Sequence, residues 1–254
     1  MYILAIETTG RYGSAAVITD KTSGFSSCGK QLVTASSDSE MNHLKDVISV
    51  TDEALGMAGI DKTSLGCVAA SVGPGSFTGI RIGVTTARTL AQMWRLPCVG
   101  VSSLEAMAHH VRDAAATCGC SYVMATINAR RHQTYAGVWK LDAGTAALVP
   151  LHEERQYMIE ELLELVKSDE AGSVYLVGDG IDAYEEIIVS ELGENCVLAD
   201  AELRYQTAES VAERTLGKAL AGEVCEYEDL LPDYMRLSEA EQRLAEGTLS
   251  KKIR

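Results

Sequence analysis

A glycine-rich turn before an amphipathic helix is the feature of this sequence that most suggests chemistry. The stretch SVGPGSFTGIRIG, residues 71–83, follows a short apolar run, and its glycines are Gly73, Gly75, Gly79 and Gly83. Bare backbone at the start of a helix can bind a phosphate through free N–H groups, or it can let another backbone approach closely. These residues therefore allow either a nucleotide site or a packing site.

The spacing of the glycines fits neither of the common phosphate-binding motifs. A Walker A loop needs a second glycine five residues after the first and then a lysine. Counting from Gly73, Thr78 occupies the place of that glycine, and counting from Gly75, Arg81 stands where the lysine should be. In the Rossmann pattern the third glycine would fall at Thr78, but it comes one residue later, at Gly79.

Close packing is the more common use of such glycines. Gly79 and Gly83 are four residues apart in the predicted helix, so together they would clear a groove in which a second helix can pack. Ser76, just before the helix, is predicted to cap its first turn. Binding of an anion by free N–H groups at this turn stays open as the alternative.

A second candidate site is the turn ETTG at the end of the first predicted strand. Here Glu7 is followed by Thr8, Thr9 and Gly10. An acidic residue beside a glycine hairpin resembles the opening of actin-like ATPases, where the carboxylate meets the water shell of a metal and the hairpin amides meet phosphates. Glycine hairpins are also frequent structural turns, so both interpretations stay open.

Spacing gives little support to metal or nucleophile chemistry. His109 and His110 are adjacent, so on a helix they point about 100° apart and cannot chelate one ion together. Cys118 and Cys120 have no second cysteine pair at zinc spacing. No Ser–His–Asp or Cys–His arrangement stands out, and we predict neither a metal site nor a catalytic residue.

Composition places the chain among ordinary folded proteins. It has 254 residues, 46% of them hydrophobic, and a formal net charge of −14 that opposes nucleic-acid binding by the chain alone. Small basic islands at Asn128–His132 and Leu249–Arg254 leave a contact with RNA open. Seven cysteines, several within apolar runs, predict free buried thiols. Without a signal peptide or an apolar run of membrane length, we expect a cytoplasmic protein with no membrane contact.

The order of the predicted elements indicates a duplicated α/β fold of ribonuclease-H-like topology. In the first half, strands are predicted at 2–6, 14–18, 30–36, 67–72 and 98–102, with helices at 41–57 and 77–94. A strand–turn–strand layout returns at 124–139, followed by helices at 154–168, 182–193 and 208–223 and strands at 173–178 and 196–200. We predict two lobes, residues 1–116 and a smaller one of residues 117–254, with the tail returning to the first lobe.

Several stretches of this sequence resemble the bacterial TsaB (YeaZ) family. In chain order they are ILAIETTGRYGSAAV, GPGSFTGIRIG, VGVSSLEAMA, INARRHQTYAG, VGDGIDAY and PDYMRLSEAE. Matches in the correct order across nearly the whole chain are far more specific than any single motif. The resemblance implies a two-lobed actin-like fold, in agreement with the duplication.

The resemblance also implies a function. Family members are non-catalytic partners of the homologous transferase subunit TsaD. With TsaD and the ATPase TsaE, they support the formation of N6-threonylcarbamoyladenosine beside the anticodon of tRNAs. We therefore expect an accessory subunit that is not an enzyme, that pairs with TsaD and that forms a homodimer when alone. The chain would contact TsaE and tRNA only within the complex. ATP and ADP would not be cofactors of this chain by itself.

In the family, the helices of the first lobe form the partner interface as a four-helix bundle. Carried over to residues 42–57 and 77–94, the resemblance implies contacts by His43, Leu44, Val47, Ile48, Thr51, Leu55, Phe77, Ile80, Arg81, Val84 and Arg88. The alternative is that both helix faces belong to the core. The first helix departs from the family in lacking the proline often found near its start.

The turn formed by Glu7, Thr8, Thr9 and Gly10 would then be a vestigial nucleotide site. Position 7 is Glu where many relatives have Asp, which further weakens binding of a metal–nucleotide complex. Three rival functions stay open. An actin-like ATPase or sugar kinase using this turn would bind ATP–Mg tightly, a glycoprotease-like metalloenzyme would hold one zinc per chain, and a scaffold unrelated to tRNA would form complexes without TsaD.

Overall fold

The first lobe is built on a five-stranded mixed sheet. The computed structural model describes residues 1–20, 32–37, 43–142, 144–168 and 172–235. The strands are β1 (Tyr2–Glu7), β2 (Ser14–Thr19), β3 (Leu32–Ser36), β4 (Leu65–Gly73) and β5 (Cys98–Ser102). β1, β2 and β3 form an antiparallel meander, while β4 and β5 run parallel to β1, which gives the order β3-β2-β1-β4-β5.

The second lobe repeats this arrangement. Its strands are β6 (Tyr122–Arg130), β7 (Gln133–Leu141), β8 (Leu148–Met158), β9 (Val174–Val177) and β10 (Cys196–Leu198). β6, β7 and β8 form the meander, and β9 and β10 run parallel to β6. Read from the meander, the order β8-β7-β6-β9-β10 matches that of the first sheet strand for strand. The predicted duplication of an α/β unit is confirmed.

In the described part of the chain, six α-helices cover the two sheets. They are α1 (His43–Ala58), α2 (Phe77–Trp94), α3 (Ser103–Thr117), α4 (Ile159–Ser168), α5 (Gly180–Leu192) and α6 (Ala208–Leu220). α1 and α2 cover one face of the first sheet, and α4 and α5 cover one face of the second. Because helices cover both faces of each sheet, β1 and β4 are nearly continuous apolar runs rather than alternating ones.

The two remaining helices cross between the lobes. α3 directly follows the first sheet, yet its Met107 and Val111 pack in a core with Val123 of β6. α6 follows the second sheet, yet its Val211 packs with Ile3 of β1. α3 and α6 therefore join the lobes, and the predicted boundary at residues 116–117 falls at the C-terminal end of α3.

A segment of the second half differs from the sequence prediction. The helix predicted to begin at Glu154 begins at Ile159, and the preceding residues form the edge strand β8. Pairing with β7 decides this conformation, because eight of the eleven residues of β8 are paired in register with β7 and Tyr157 is buried. Two further predictions, Met41 as a helix residue and Lys30 as a strand residue, concern positions outside the described ranges.

After α6 the chain runs back over the first lobe. We refer to residues 222–235 as the return segment. Cys225 and Cys98 of β5 exchange two backbone hydrogen bonds of 2.7 and 2.8 Å, and the Asp233 N–H donates to the Val72 carbonyl at 2.8 Å. Between these points Leu230 is buried in the core under α2. The return segment is thus fixed to the first sheet at both ends and in its middle.

The described cysteines are free thiols. Cys67, Cys98 and Cys120 are buried, as predicted, whereas Cys118 is exposed and Cys28 lies outside the described residues. Burial raises the pKa of the Cys67 thiol to about 12, so it stays protonated and unreactive at neutral pH. Within the described ranges, no helix combines the length and apolarity that a membrane span requires.

Candidate functional site

The glycine loop packs directly on the turn that follows β1. Thr8 Oγ1 donates to the Gly79 carbonyl at 2.7 Å, and the Ser76 N–H donates to the Thr9 carbonyl at 2.8 Å. A Cβ atom added to Gly79 would lie 1.9 Å from the Thr8 carbonyl oxygen, and one added to Gly75 would lie 2.7 Å from that of Thr9. Only glycine allows this approach of two backbones.

Two predictions for this helix start have different outcomes. Ser76 caps α2, since its Oγ accepts from the Gly79 N–H at 3.2 Å, which confirms the predicted N-cap. The groove predicted for a second helix is wrong. A Cβ on Gly83 would lie 2.4 Å from Thr8 Oγ1, so both helical glycines face the end of β1. The contact is between a helix and a strand end, and it closes the turn from one side.

Glu7 is enclosed at the end of β1. Its side chain is 0% exposed, and its Oε1 accepts a hydrogen bond from the Thr9 N–H. The other oxygen, Oε2, has no hydrogen-bond partner among the described residues. Burial raises the pKa of the Glu7 carboxyl, against the smaller effect of the hydrogen bonds from its own turn. The hydrogen bond from Thr9 thus holds the Glu7 carboxyl group inside the fold. The actin-like interpretation of the sequence would have this group face a ligand.

Side chains from other elements close the same turn. Thr9 Oγ1 hydrogen-bonds to Ser103 Oγ at the start of α3 at 3.1 Å. His43 of α1 donates from Nε2 to the Gly10 carbonyl at 3.1 Å, and burial lowers the pKa of its ring. Gln206 packs so closely on Gly10 that an added Cβ would lie 2.9 Å from its Oε1. The turn is therefore contacted by α1, by the start of α3 and by Gln206, which lies just before α6.

The raised pKa of Glu7 predicts a pH dependence of stability. The folded state holds the proton more tightly than the unfolded chain, so the free energy of unfolding falls as pH rises from the usual carboxyl pKa of 4.5 through the raised value. Glu7→Gln keeps an acceptor for Thr9 but cannot ionise. We expect this variant to gain stability relative to the wild type as pH rises from about 5 to 8, measured by urea unfolding. A difference independent of pH would contradict the assignment.

A cleft of about 940 Å³ opens between the lobes beside this turn. Thr9, Gly10 and Arg11 line its first wall, and the turn between β6 and β7 lines the other. Near the end of β6, Asn128 donates its N–H to Asp179 Oδ1 at 2.9 Å, and burial raises the pKa of the Asp179 carboxyl. The basic island at Asn128–His132 therefore lies at the rim of the cleft, while Leu249–Arg254 lies outside the described residues.

The charges of the cleft are mixed. Its lining combines the basic side chains of Arg11, Arg130 and Arg131 with the acidic ones of Asp179, Asp182 and Asp233. Such a wall lacks the concentrated positive charge of a phosphate site. In the described part of the chain, no group of three or more His, Cys, Asp or Glu residues is arranged to hold a metal. His110 hydrogen-bonds to Glu213 at 2.8 Å, and burial lowers the pKa of neighbouring His109 to about 4.

The residues predicted for the partner surface divide into two sets. Five of them pack inside the first lobe, because the inner faces of α1 and α2 cover the sheet. These five are His43, Val47, Thr51, Ile80 and Val84. Their burial agrees with the alternative interpretation that the helix faces belong to the core, and their contact with a partner stays a prediction. The other six, Leu44, Ile48, Leu55, Phe77, Arg81 and Arg88, are at least partly exposed.

The outer side of α1 exposes large apolar side chains, whereas most of the exposed residues of α2 are polar. Leu44 is 75% exposed and Ile48 is 57% exposed, one turn apart on α1. Met57 of α1 and Met93 of α2 are also more than half exposed, but Met57 lies about 180° around the helix from Ile48. We call these outer sides, with Phe77 at the start of α2, the helix face. Large apolar side chains concentrated on neighbouring helices are typical of a protein–protein contact.

One part of this surface depends on residues far apart in the sequence. Arg81 Nε donates to Tyr234 Oη at 2.8 Å, and the guanidinium carbon lies 3.9 Å from the centre of the Phe77 ring. The rings of Phe77 and Tyr234 have their centres 4.9 Å apart. Tyr234 lies in the stretch PDYMRLSEAE that carries part of the family resemblance, but no local pattern in the sequence marks it as a site residue.

Comparison with known proteins decides the family. The family model described as "TsaD: tRNA N6-adenosine threonylcarbamoyltransferase" matches residues 37–243 of this chain. The chain belongs to this family. The tRNA threonylcarbamoyladenosine biosynthesis protein TsaB of Bacillus subtilis is 29% identical over 206 residues, covering 81% of this chain and 85% of that protein. TsaB of Escherichia coli is 29% identical over 256 residues, covering 96% and 98%.

A solved structure agrees with this grouping. The structure described as "YeaZ from Pseudomonas aeruginosa" superposes with a TM-score of 0.74 at 24% identity, covering 92% of this chain and 99% of that one. Together with the duplicated sheets, this confirms the two-lobed actin-like fold. The resemblance to the TsaB (YeaZ) group is likewise confirmed by the curated relatives.

Proposed function

We propose that the protein is a non-catalytic subunit in the biosynthesis of tRNA threonylcarbamoyladenosine, and that it binds a TsaD subunit through its helix face. The observation that carries the proposal is the exposure of the large apolar side chains of Leu44 and Ile48 on one side of α1. A partner that covers this surface would remove its apolar side chains from water. Related curated proteins are named for the same biosynthesis.

The state of the β1 turn supports a non-catalytic role. A nucleotide site of the actin-like kind needs the hairpin amides and its carboxylate to face the ligand. Here Glu7 is fully buried, and Thr8 and Thr9 are engaged by the glycine loop. The helix that would present free N–H groups starts against this turn instead of facing a phosphate.

The inter-lobe cleft favours one second candidate, an actin-like ATPase or sugar kinase. Its volume of about 940 Å³ is ample for a nucleotide, and Gly10 lies in its wall. Calorimetric titration of the isolated chain with ATP and Mg²⁺ discriminates between the two functions. Micromolar binding would favour the enzyme, whereas no heat of binding is expected for the accessory subunit.

The proposed pairing is tested by light scattering of the chain mixed with TsaD from the same organism. We expect a one-to-one complex with the wild type. Leu44→Asp and Ile48→Asp should each abolish it at micromolar concentration, because a partner would bury an unpaired charge. Circular dichroism should stay unchanged, since both side chains point to solvent.

A matched control is Ser49→Asp. It adds the same charge to an exposed position of α1 that lies about 140° around the helix from Leu44. We expect this variant to bind TsaD like the wild type. Absence of a complex with the wild type would overturn the proposed pairing, and equal loss in all three variants would show a general charge effect rather than a specific surface.

A further inference from the structure

The guanidinium group of Arg81 is held rigidly at the surface. Its carbon lies 3.9 Å from the centre of the Phe77 ring and 5.7 Å from that of Tyr234, so both rings contact it. Its Nε donates to Tyr234 Oη at 2.8 Å, which fixes the orientation of the plane. An exposed arginine usually samples many rotamers, so a partner that binds it must order the side chain first. Here the fold has already ordered it.

Tyr234 is itself held in place by its neighbours in the return segment. The preceding residue, Asp233, donates its N–H to the Val72 carbonyl at 2.8 Å, and Leu230 is buried under α2. A Cβ on Gly73 would lie 2.6 Å from the Asp233 carbonyl oxygen, which shows how tightly the return segment is seated. Tyr234 therefore positions Arg81 with support from the first sheet.

The outer edge of this guanidinium has no partner among the described residues. Since Nε is used by Tyr234, the two terminal nitrogens remain, and neither forms a hydrogen bond or ion pair with any residue that the structure describes. These two nitrogens present parallel N–H donors in the geometry that a carboxylate or a phosphate accepts. This donor pair lies on α2 beside the rings of Phe77 and Tyr234.

We propose that Arg81 binds a carboxylate of the partner subunit, with Tyr234 as its positioning residue. The inference rests on the proposed pairing through the helix face and names one polar contact within it. The surroundings favour a protein carboxylate over an RNA phosphate. The exposed apolar ring of Phe77 lies against Arg81, and the chain carries a net charge of −14 that repels nucleic acid.

The proposal predicts that affinity depends on the shape of the cation as well as its charge. Lysine keeps the charge but cannot bind a carboxylate through two parallel donors or stack on Phe77. We expect Arg81→Lys to weaken TsaD binding by about 10-fold or more, as truncation of a buried charge pair does. Tyr234→Phe removes the acceptor for Nε and should weaken binding by about 3-fold to 10-fold.

The experiment is a titration calorimetry series on the full chain with TsaD, at two salt concentrations. A double variant isolates the positioning role, because Tyr234→Phe should have no further effect once Arg81 is lysine. If Tyr234 acted only in folding, Tyr234→Phe would weaken TsaD binding further in the chain that already carries Arg81→Lys. The matched control is Arg112→Lys on α3, an exposed arginine outside the helix face, and it should bind like the wild type.

The outcomes separate this inference from the proposed function. If the wild type binds TsaD and Ile48→Asp does not, while Arg81→Lys binds unchanged, the carboxylate contact is wrong and the pairing stands. If Arg81→Lys weakens tRNA binding by the assembled complex but not the pairing, the oxyanion is a phosphate of RNA, which also overturns the inference. Absence of any wild-type complex overturns both proposals.

Discussion

Gly79→Ala is expected to lower the free energy of unfolding by about 3 kcal/mol, at the upper end of overpacking effects. The added Cβ would lie 1.9 Å from the carbonyl oxygen of Thr8, and backbone on both sides prevents a simple rotamer change from relieving the clash. Either α2 or the end of β1 must move, and movement would break the hydrogen bond from Thr8 Oγ1 to the Gly79 carbonyl. Urea unfolding followed by circular dichroism measures the effect.

Gly56→Ala is the matched control and should have the opposite sign. Gly56 lies in the last turns of α1, and an added Cβ would meet no atom within 4 Å. Alanine there should stabilise the protein by about 0.5–1 kcal/mol, because it restricts the unfolded chain and favours the helix. If Gly79→Ala were as harmless as Gly56→Ala, the contact between the glycine loop and β1 would be refuted.

The architecture could be predicted from the sequence because its signals are local. Buried strands such as β4 appear as continuous apolar runs, and turn residues separate them from helices. The strand–turn–strand layout at 124–139 repeats that of β1 and β2, so the duplication was visible before the sheets were known. The edge strand β8 escaped prediction because half of its side chains face solvent and its partner strand, β7, supplies the pairing.

The site was harder to predict, for two physical reasons. α1 carries apolar residues around most of its circumference, so its sequence does not tell whether the side with Leu44 or the side with Val47 faces the sheet. The contact between Arg81 and Tyr234 joins residues 153 positions apart, and no local pattern records it. Both facts follow from tertiary packing, which decides the face that each helix buries.

Ile80→Asp is expected to prevent stable folding of the first lobe. Ile80 is 3% exposed, packs in the core between α2 and the sheet, and its Cδ1 is the atom that a Cβ on Gly73 would meet at 3.0 Å. A carboxylate at this position would have to be protonated or pull water into the core. We expect a loss of about 4 kcal/mol or more, a large fraction of the stability of an ordinary domain.

The contrast with Ile48→Asp makes this prediction decisive for the interface. The two substitutions create the same side chain on the two helices, but Ile48 is on the exposed side and should cost less than about 0.5 kcal/mol. Thermal unfolding by circular dichroism should therefore show a large drop for Ile80→Asp and almost none for Ile48→Asp. A folded Ile80→Asp variant would show that the inner side of α2 is not core. An unfolded Ile80→Asp variant would show that loss of TsaD binding after substitution of Ile80 results from loss of folding. Only the outer residues of α1 and α2 could then test the contact with TsaD.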